Sequence, residues 1–273
     1  MKQPEAIEQK HDEVEEHEAE DEWTEADFLD DDEEEEAPPA YRIWVRRAML
    51  VLVAIALVGN VLAAIPLIFN LNVIQFIKKT NELSQIEALQ LYKQAIVIVK
   101  SADSKGTGFN IDPSGVIITN AHVVDASDTA VIGFEDKRTF HARVVARDDE
   151  HDLAVLQIDE APTVPLPVLE LSEQPTYTEG EQIYYIGNPY FFHHIIGEGY
   201  VHSIVQSGTR ASPVIALIAP IYKGNSGSPV INQEGEVIAV VYATSSIPSG
   251  NDKLKVGLAV PIADLKRIWP ERE

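Results

Sequence analysis

Three short stretches of the sequence hold the residue types that acyl transfer by a serine hydroxyl requires. His122 lies in TNAHVV, Asp152 opens the apolar run DLAVLQI, and Ser226 lies in GNSGSP. A hydroxyl attacks a carbonyl efficiently only if a general base takes its proton, a carboxylate orients that base, and N–H donors stabilise the oxyanion. The three stretches offer one candidate for each side-chain role, and glycine precedes the serine where backbone donors are needed.

Each of these residues also has a plainer interpretation. His122 alone would be a strand-end histidine, and Ser226 alone would be a turn serine among glycines. Asp152 competes with Asp148 and Asp149, but only Asp152 directly precedes the Leu-Ala-Val-Leu run. The three roles must occur together for the chemistry to work, so their joint presence favours the chemical interpretation.

The elements that would position these residues are short β-strands. After Gln94, runs of apolar and β-branched residues alternate with turn sequences such as Asp112–Gly115 and Asn232–Gly235. About a dozen strands in two groups predict two barrels rather than one. The first group is 95–99, 107–111, 116–119, 130–134, 143–147 and 153–158, and the second is 182–186, 201–205, 214–218, 230–232, 237–243 and 255–260. Prolines between 162 and 175 mark the crossing, and 263–269 is predicted to be a closing helix.

The N-terminal region is acidic and poor in apolar residues. Residues 1–40 carry 19 Asp and Glu against two Lys, so most of the net charge of −23 lies there. Self-repulsion and the lack of anything to bury predict a disordered cytoplasmic tail. A docking tail is the functional alternative, and a solvated extension is favoured. The rest of the chain has no basic stripe, which argues against nucleic acid as a partner.

A long uncharged stretch follows the acidic tail. No charged residue occurs from Ala48 to Ile77. As a helix its densest part, 48–69, would span roughly 33 Å at about 1.5 Å per residue, enough for a bilayer core. We therefore predict a single transmembrane signal-anchor within 41–77. Three arginines before it and two lysines after it favour a cytoplasmic N-terminus and an extracytoplasmic remainder.

Residues 78–93 are predicted to form a linker or stalk. Thr80–Lys93 has the apolar spacing of a short amphipathic helix that packs onto the following domain. The chain contains no cysteine, which excludes disulfides, thiolate metal sites and cysteine nucleophiles.

The sequences of these motifs and their order along the chain resemble those of the trypsin-like serine peptidases, and within them the HtrA (Deg) group. The resemblance rests on GTGFNIDPSGVIITNAHVV, HDLAVLQID and IYKGNSGSPVINQEGEVIAV, supported by GNP at 187–189 and VGLAVPI at 256–262. It covers about Gln94 to Asp264. It implies an all-β domain over 94–273 made of two antiparallel Greek-key barrels of the chymotrypsin type, with the site in the cleft between them.

The resemblance also implies roles for individual residues. Ser226 would be the nucleophile, His122 the general base and Asp152 the acid that orients it. The N–H groups of Gly224 and Ser226 would form the oxyanion hole. No cofactor and no metal are expected, and His193, His194 and His202 are interpreted as loop and surface residues.

Three positions depart from the patterns of relatives. Ser228 stands where many relatives have a second glycine, and its small size predicts tolerance. Asn225 stands where zymogen-activated relatives carry an aspartate, so activation by an ion pair to a new N-terminus is not expected. Pro220 lies where trypsin has its acidic residue, which predicts an apolar or small aliphatic P1 side chain rather than a basic one.

Together these features predict a membrane-anchored serine endopeptidase that acts on extracytoplasmic proteins of a bacterium, in protein quality control or regulatory cleavage. HtrA relatives usually continue into a PDZ domain, which is not expected here, and they often form trimers through N-terminal segments, so a homotrimer is compatible with the sequence. The alternative from another class is a non-catalytic or partner-activated protein-binding or chaperone module on the same fold.

Overall fold

The computed structural model describes residues 40–68, 78–125, 127–206, 212–250 and 252–269, with only the backbone given for Ala40 and 61–68. The chain divides into two compact units, Met1–Ile65 and Pro66–Glu273. The predicted acidic tail lies almost entirely outside the described residues, as does 69–77 of the predicted anchor.

The first described element is the long apolar helix α1, Ala40–Ile68. Within it, Tyr41–Asn60 has a mean hydropathy of 1.7, and none of these residues is buried. It is the one helix among the described residues that is long and apolar enough to cross a membrane. A helix that is apolar on all sides is stable only in apolar surroundings, so α1 is a candidate membrane span, as the sequence predicts.

The segment before the first strand is helical in two pieces rather than one. Residues 78–83 are helical, a turn follows, and α2 runs from Glu87 to Gln94. Ile86 is extended, and the side chain of Gln90 donates to the carbonyl of Ser84. The predicted continuous helix over Thr80–Lys93 is therefore interrupted.

The interruption lets both short helices pack on the domain that follows. Leu83 and Leu89 are buried in the main core cluster, whereas Ile86 and Leu91 remain exposed. The hydroxyl of Thr80 donates to the carbonyl of Ile196, 3.1 Å away. The predicted packing of this segment is present, with fewer apolar residues buried than the pattern indicates.

Twelve strands follow in the described part of the chain. They are β1 Ile96–Lys100, β2 Lys105–Asp112, β3 Val116–Thr119, β4 Thr129–Phe134, β5 Thr139–Asp148, β6 Leu153–Ile158, β7 Gln182–Gly187, β8 Ile195–Val205, β9 Val214–Ile218, β10 Pro229–Ile231, β11 Val237–Ser249 and β12 Asp252–Pro261. A four-residue helix, α3, spans Ala121–Val124, and a 3₁₀ helix spans Ile262–Arg267.

The strands close into two six-stranded antiparallel barrels. The first has the order β1-β2-β3-β6-β5-β4, and the second has the order β10-β11-β12-β9-β8-β7. Read around the ring, both have the same Greek-key connectivity, although the two halves share no visible sequence repeat. The predicted all-β, two-barrel fold is confirmed.

The cores of the barrels are joined by a third cluster. Val97 and Leu156 belong to the interior of the first barrel, and Ile183 and Val241 to that of the second. A separate buried cluster combines Phe109 of the first barrel with side chains of the second and of α2, including Ile186, Val260 and Leu89. Close packing of this kind fixes the two barrels against each other.

Several element boundaries differ from those expected. β5 begins at Thr139 rather than Arg143. β8 begins at Ile195 rather than Val201, because Gly197 leaves room for the ring of Tyr185 and the strand continues through a glycine-containing stretch. The β11–β12 hairpin extends to Ser249 and Asp252. The closing helix is a 3₁₀ helix over Ile262–Arg267.

The burial of α2 gives a stability prediction. We expect Leu89→Ala, which empties a fully packed site, to lower the free energy of unfolding by about 2–5 kcal/mol. Leu91→Ala on the exposed face of the same helix should change it by less than about 0.5 kcal/mol. Denaturant titration of both variants measures the difference, and equal effects would show that α2 is not packed as described.

Candidate active site

His122 lies on the short helix α3, which directly follows β3. Ala121, Val123 and Val124 of this helix are buried, which leaves His122 as the residue that faces outward. Its side chain is 48% exposed. The apolar anchors of α3 therefore place an accessible imidazole at the end of a barrel strand.

Asp152 receives two hydrogen bonds from His122. Its Oδ2 lies 2.8 Å from Nδ1 of the imidazole, and its Oδ1 accepts the backbone N–H of His122 at 2.9 Å. An ionised carboxylate can only accept, so the ring proton resides on Nδ1 and Nε2 keeps a free lone pair. Asp152 has a φ of +54° and its carbonyl accepts the side-chain amide of Asn120 at 2.8 Å.

Ser226 lies in a tight turn before β10. The N–H of Asn225 donates to the carbonyl of Tyr222 at 3.0 Å, and that of Ser228 donates to the carbonyl of Asn225 at 2.9 Å. The hydroxyl of Ser226 donates to the carbonyl of Tyr242 at 3.3 Å. Tyr242 is the residue at which the β11–β12 pairing shifts register.

The structure thus hydrogen-bonds His122 to Asp152 but directs the hydroxyl of Ser226 elsewhere. The Ser226 turn and α3 nevertheless both adjoin Gly106: a Cβ built on Gly106 would lie 2.7 Å from Cγ2 of Val123 and 3.1 Å from the carbonyl oxygen of Ser226. Rotation about the Cα–Cβ bond of serine moves its hydroxyl between acceptors. Catalytic hydrogen bonds are commonly long or misaligned without substrate.

The backbone before Ser226 is shaped to present free N–H groups. Gly224 has a φ of +100°, and a Cβ there would overlap the carbonyl oxygen of Asn188. The carbonyl of Lys223 accepts the N–H of Tyr190 at 2.9 Å, so the N–H of Gly224, on the opposite side of the same trans peptide, points away from Tyr190. Within the described chain the N–H groups of Gly224 and Ser226 donate to no backbone carbonyl.

Thr107 links the two barrels at this turn, a role that sequence reasoning missed. It is fully buried, and its N–H donates to the carbonyl of Ser226 at 2.8 Å. Its hydroxyl donates to the carbonyl of Gly224 at 2.7 Å and accepts the N–H of Asn188 at 3.0 Å. The only sequence signal was the small Gly-Thr-Gly stretch, which by itself indicates no more than a close approach of backbones.

Asn225 and Ser228, two of the departures from the patterns of relatives, lie side by side. Both are fully buried. The side-chain amide of Asn225 and the hydroxyl of Ser228 have no hydrogen-bond partner among the described residues. A Cβ on Gly187 would lie 2.5 Å from Oδ1 of Asn225 and still closer to the Ser228 hydroxyl. The turn is therefore held by backbone bonds and Thr107 rather than by an ion pair of residue 225.

A second group of Ser, His and Asp side chains, joined by hydrogen bonds, lies next to Asp152. His151 is 3% exposed; its Nδ1 lies 2.7 Å from Oδ2 of Asp148, and its Nε2 lies 3.1 Å from the hydroxyl of Ser212. The imidazole is buried and therefore not accessible to a substrate from solvent. These hydrogen bonds instead link the turn that carries Asp152 to the β8–β9 connection of the second barrel. Asp148, a rejected candidate at the sequence level, is thus a structural partner.

The other histidines differ in part from expectation. His193 is exposed in the β7–β8 loop, as predicted, but His194 is only 8% exposed and its Nε2 lies 3.1 Å from the carbonyl of Ile96. The prediction of a surface residue is wrong there, and burial lowers the pKa of His194. His202 is half-buried within strand β8. Among the described residues no group of three or more His, Asp or Glu side chains could hold a metal ion.

Comparison with known proteins agrees with this geometry. Residues 106–240 match the family described as trypsin-like peptidase domain. This part of the chain is similar to trypsin-like peptidase domains. The matched stretch contains His122, Asp152 and Ser226 and covers parts of both barrels, without β1 and β12.

Relatives and a solved structure place the domain near the HtrA group. The serine protease HhoA of Synechocystis sp. is 35% identical over 170 residues, covering 60% of this chain and 42% of that protein. A periplasmic, DegP-like serine endoprotease of Pseudomonas fluorescens is 33% identical over 168 residues, covering 60% and 34%. The crystal structure of a serine endoprotease from Yersinia pestis has a TM-score of 0.56 and 28% identity, covering 66% of this chain and 63% of that one.

These relatives support a serine endopeptidase of the HtrA group. The chain spans less than half of the length of the two curated relatives. The likeness therefore concerns the peptidase domain.

Packing of the serine turn against Thr107 can be tested with two glycines of similar φ. A Cβ on Gly227 (φ +85°) would overlap the carbonyl oxygen of Thr107, whereas Gly180 (φ +83°) has nothing within 4 Å. We expect Gly180→Ala to cost about 1–2 kcal/mol from backbone strain alone. Gly227→Ala should cost about 1–3 kcal/mol more from overpacking. Denaturant unfolding measures both, and an equal cost would contradict the close contact.

The Asp148–His151 contact predicts a change in acid stability. Burial opposes ionisation of Asp148, but the hydrogen bonds from His151 outweigh it and hold the pKa of Asp148 below 3.8. A lowered folded-state pKa stabilises the protein above pH 3.8 and loses that contribution as the pH falls through the folded-state value. Asp148→Asn should therefore be less stable than wild type at neutral pH and should lose less stability on acidification. Thermal unfolding from neutral to acidic pH tests this; an unchanged acid limb would contradict it, and exposed Asp149→Asn is the control.

Proposed function

We propose that the chain is a membrane-anchored serine endopeptidase with Ser226 as nucleophile, His122 as general base and acid, and Asp152 as the orienting carboxylate. The observation that carries the proposal is the doubly bonded His122–Asp152 pair, together with a serine turn in which the N–H groups of Gly224 and Ser226 donate to no backbone carbonyl among the described residues. Site geometry of this kind, rather than fold, is what supports a reaction.

The proposed reaction begins when the hydroxyl of Ser226 leaves Tyr242 and turns to Nε2 of His122. Ser226 Oγ attacks the scissile carbonyl while His122 takes its proton, and the imidazolium is stabilised by Asp152. His122 then gives the proton to the leaving amine, the C–N bond breaks, and an acyl-serine forms. Water, deprotonated by His122, releases the acid and restores the hydroxyl.

The oxyanion of each tetrahedral intermediate would lie between the N–H groups of Gly224 and Ser226. One such donor is worth roughly 10² to 10³ in rate. The positive φ of Gly224 and the bonds that hold Lys223 and Gly224 by their carbonyls fix these donors before the substrate arrives. Donors fixed in advance need no reorganisation during the reaction.

We propose an apolar or small aliphatic P1 side chain. Pro220 lies six residues before Ser226, and its carbonyl accepts the hydroxyl of Tyr185 at 2.7 Å. Ile221 is 5% exposed and packs on Gly257. These residues give the wall before the serine turn an apolar character that would leave a basic side chain without a charge partner.

The location is proposed from α1 and its flanking charges. Residues 1–40 would be a cytoplasmic tail, 41–77 a single-pass anchor, 78–93 a linker and 94–273 the peptidase domain outside the cytoplasm. Substrates would be proteins or peptides at the outer face of a bacterial membrane, cleaved in quality control or regulation. Assembly into a homotrimer would use the N-terminal linker.

A second candidate function is a partner-activated or non-catalytic binding module. One observation favours it: the hydroxyl of Ser226 donates to Tyr242 rather than to His122. In this alternative the serine would remain turned away until a partner moves the turn, or would never be used.

A fluorophosphonate probe separates the two. We expect the full chain to be labelled at Ser226 and to cleave a peptide with an apolar P1 residue. Ser226→Ala should abolish labelling and lower cleavage by a factor on the order of 10⁴ to 10⁶. The matched control Ser246→Ala, at an exposed serine on the β11–β12 hairpin, should keep both. Folded wild-type protein that neither labels nor cleaves would favour the binding module.

A further inference from the structure

Three consecutive aromatic residues are exposed in the loop between β7 and β8. Tyr190, Phe191 and Phe192 are 56%, 94% and 48% exposed. We refer to residues 189–193 as the aromatic loop. Exposed clusters of large apolar side chains mark places where another molecule binds, because their contact with water is unfavourable.

The aromatic loop is held rigidly at its base. Asn188 is 1% exposed, its Nδ2 donates to the carbonyl of Val97, and its Oδ1 accepts the N–H of His194, both at 3.0 Å. Within the loop the N–H of Phe192 donates to the carbonyl of Pro189 at 2.9 Å. A loop fixed in this way presents its aromatic rings in advance and loses little conformational entropy on binding.

The aromatic loop packs against the segment that leads to Ser226. The N–H of Tyr190 donates to the carbonyl of Lys223, and the rings of Tyr190 and Tyr222 lie 5.9 Å apart between centroids. A Cβ on Gly224 would lie 3.2 Å from the nitrogen of Tyr190. The base of the aromatic loop is therefore bonded to the residue that directly precedes Gly224, one of the two proposed oxyanion donors.

Neighbouring contacts indicate which half of a substrate would meet these rings. The loop adjoins β2, because the N–H of Asn188 at its base donates to the hydroxyl of Thr107 at 3.0 Å. Partial burial and the nearby charge of Lys105, at the start of β2, lower the pKa of His193. The next residue, Gly106, meets both Val123 of α3 and the carbonyl of Ser226. The leaving amine must pass His122 on α3, so the residues after the scissile bond would leave the site past Lys105 and the aromatic loop.

We propose that Phe191 and Phe192 form an apolar subsite for the first or second substrate residue after the scissile bond. The occupant is an aliphatic or aromatic side chain of the polypeptide being cleaved. The proposal rests on the proposed function, because it assigns a specificity to the same site. Its support is the continuity of the aromatic loop with the Lys223–Gly224 segment and, through Asn188, with Thr107 of β2.

The test compares two peptides with the same acyl half. One has leucine at both positions after the scissile bond and the other has serine, and a p-nitroanilide with the same acyl half has no residue there. We expect the full chain to prefer the leucine peptide in kcat/KM by roughly tenfold or more, the range typical of apolar subsites. Phe191→Ser and Phe192→Ser should reduce this ratio toward one.

The control variant is Val164→Ser. Val164 is 60% exposed. It lies two residues before Leu166, and the N–H of Leu166 donates to the carbonyl of Pro113. Pro113 follows the end of β2 that is opposite to Lys105. This substitution should leave the peptide preference as in wild type. The loss in Phe191→Ser should also be greater for the leucine peptide than for the anilide.

The outcomes are distinct. A preference for leucine that survives Phe191→Ser and Phe192→Ser would overturn the subsite, as would an equal loss on both peptides and the anilide. Quenching of a Phe191→Trp variant by brominated lipid vesicles, with the peptide preference unchanged in the serine variants, would assign the loop to a bilayer surface instead. A wild-type chain that cleaves neither the peptides nor the anilide would contradict the proposed function itself.

Discussion

The arrangement of the site depends on one carboxylate. Asp152 accepts both the backbone N–H and the ring Nδ1 of His122, so it fixes the position of α3 and the tautomer of the imidazole at once. Its left-handed backbone, held by the side chain of Asn120, is what turns the carboxylate toward α3. Such strain persists only where surrounding contacts determine the conformation, and it often occurs at functional sites.

The second requirement is that two independently closed barrels keep a constant relation. Thr107 meets it at the serine turn by bonding Ser226, Gly224 and Asn188 of the second barrel from a single buried residue of the first. The hydrogen bonds that join Asp148, His151 and Ser212 also hold the two barrels together, next to Asp152. Each barrel closes with its own core, and these polar contacts add the precise alignment that apolar packing alone does not specify.

Much of the fold and of the candidate site is predictable from the sequence because both depend on local signals. Alternating apolar residues and tight turns indicate the strands of both barrels, and the stretches around His122, Asp152 and Ser226 lie at strand ends where side chains become accessible. Gly224 is predictable for a similar reason, since its positive φ tolerates no ordinary side chain.

Features that depend on contacts between residues distant in sequence are not predictable in this way. The break after Leu83, the burial of His194, the role of Thr107 and the contact of His151 with Ser212 arise from partners far along the chain. The early start of β8 depends on its pairing with β7. The orientation of the Ser226 hydroxyl depends on rotation about one bond, which no pattern encodes.

The most direct measurement of the central claim is proton NMR of the full chain labelled with ¹⁵N-histidine. Strong Nδ1–H···carboxylate bonds shift the ring proton far downfield, and the described residues contain two of them, from His122 to Asp152 and from His151 to Asp148. We predict two such resonances, of which Asp152→Asn removes one and Asp148→Asn the other. A single resonance that disappears only in Asp148→Asn would show that Asp152 does not hold His122, and would contradict the account of the site.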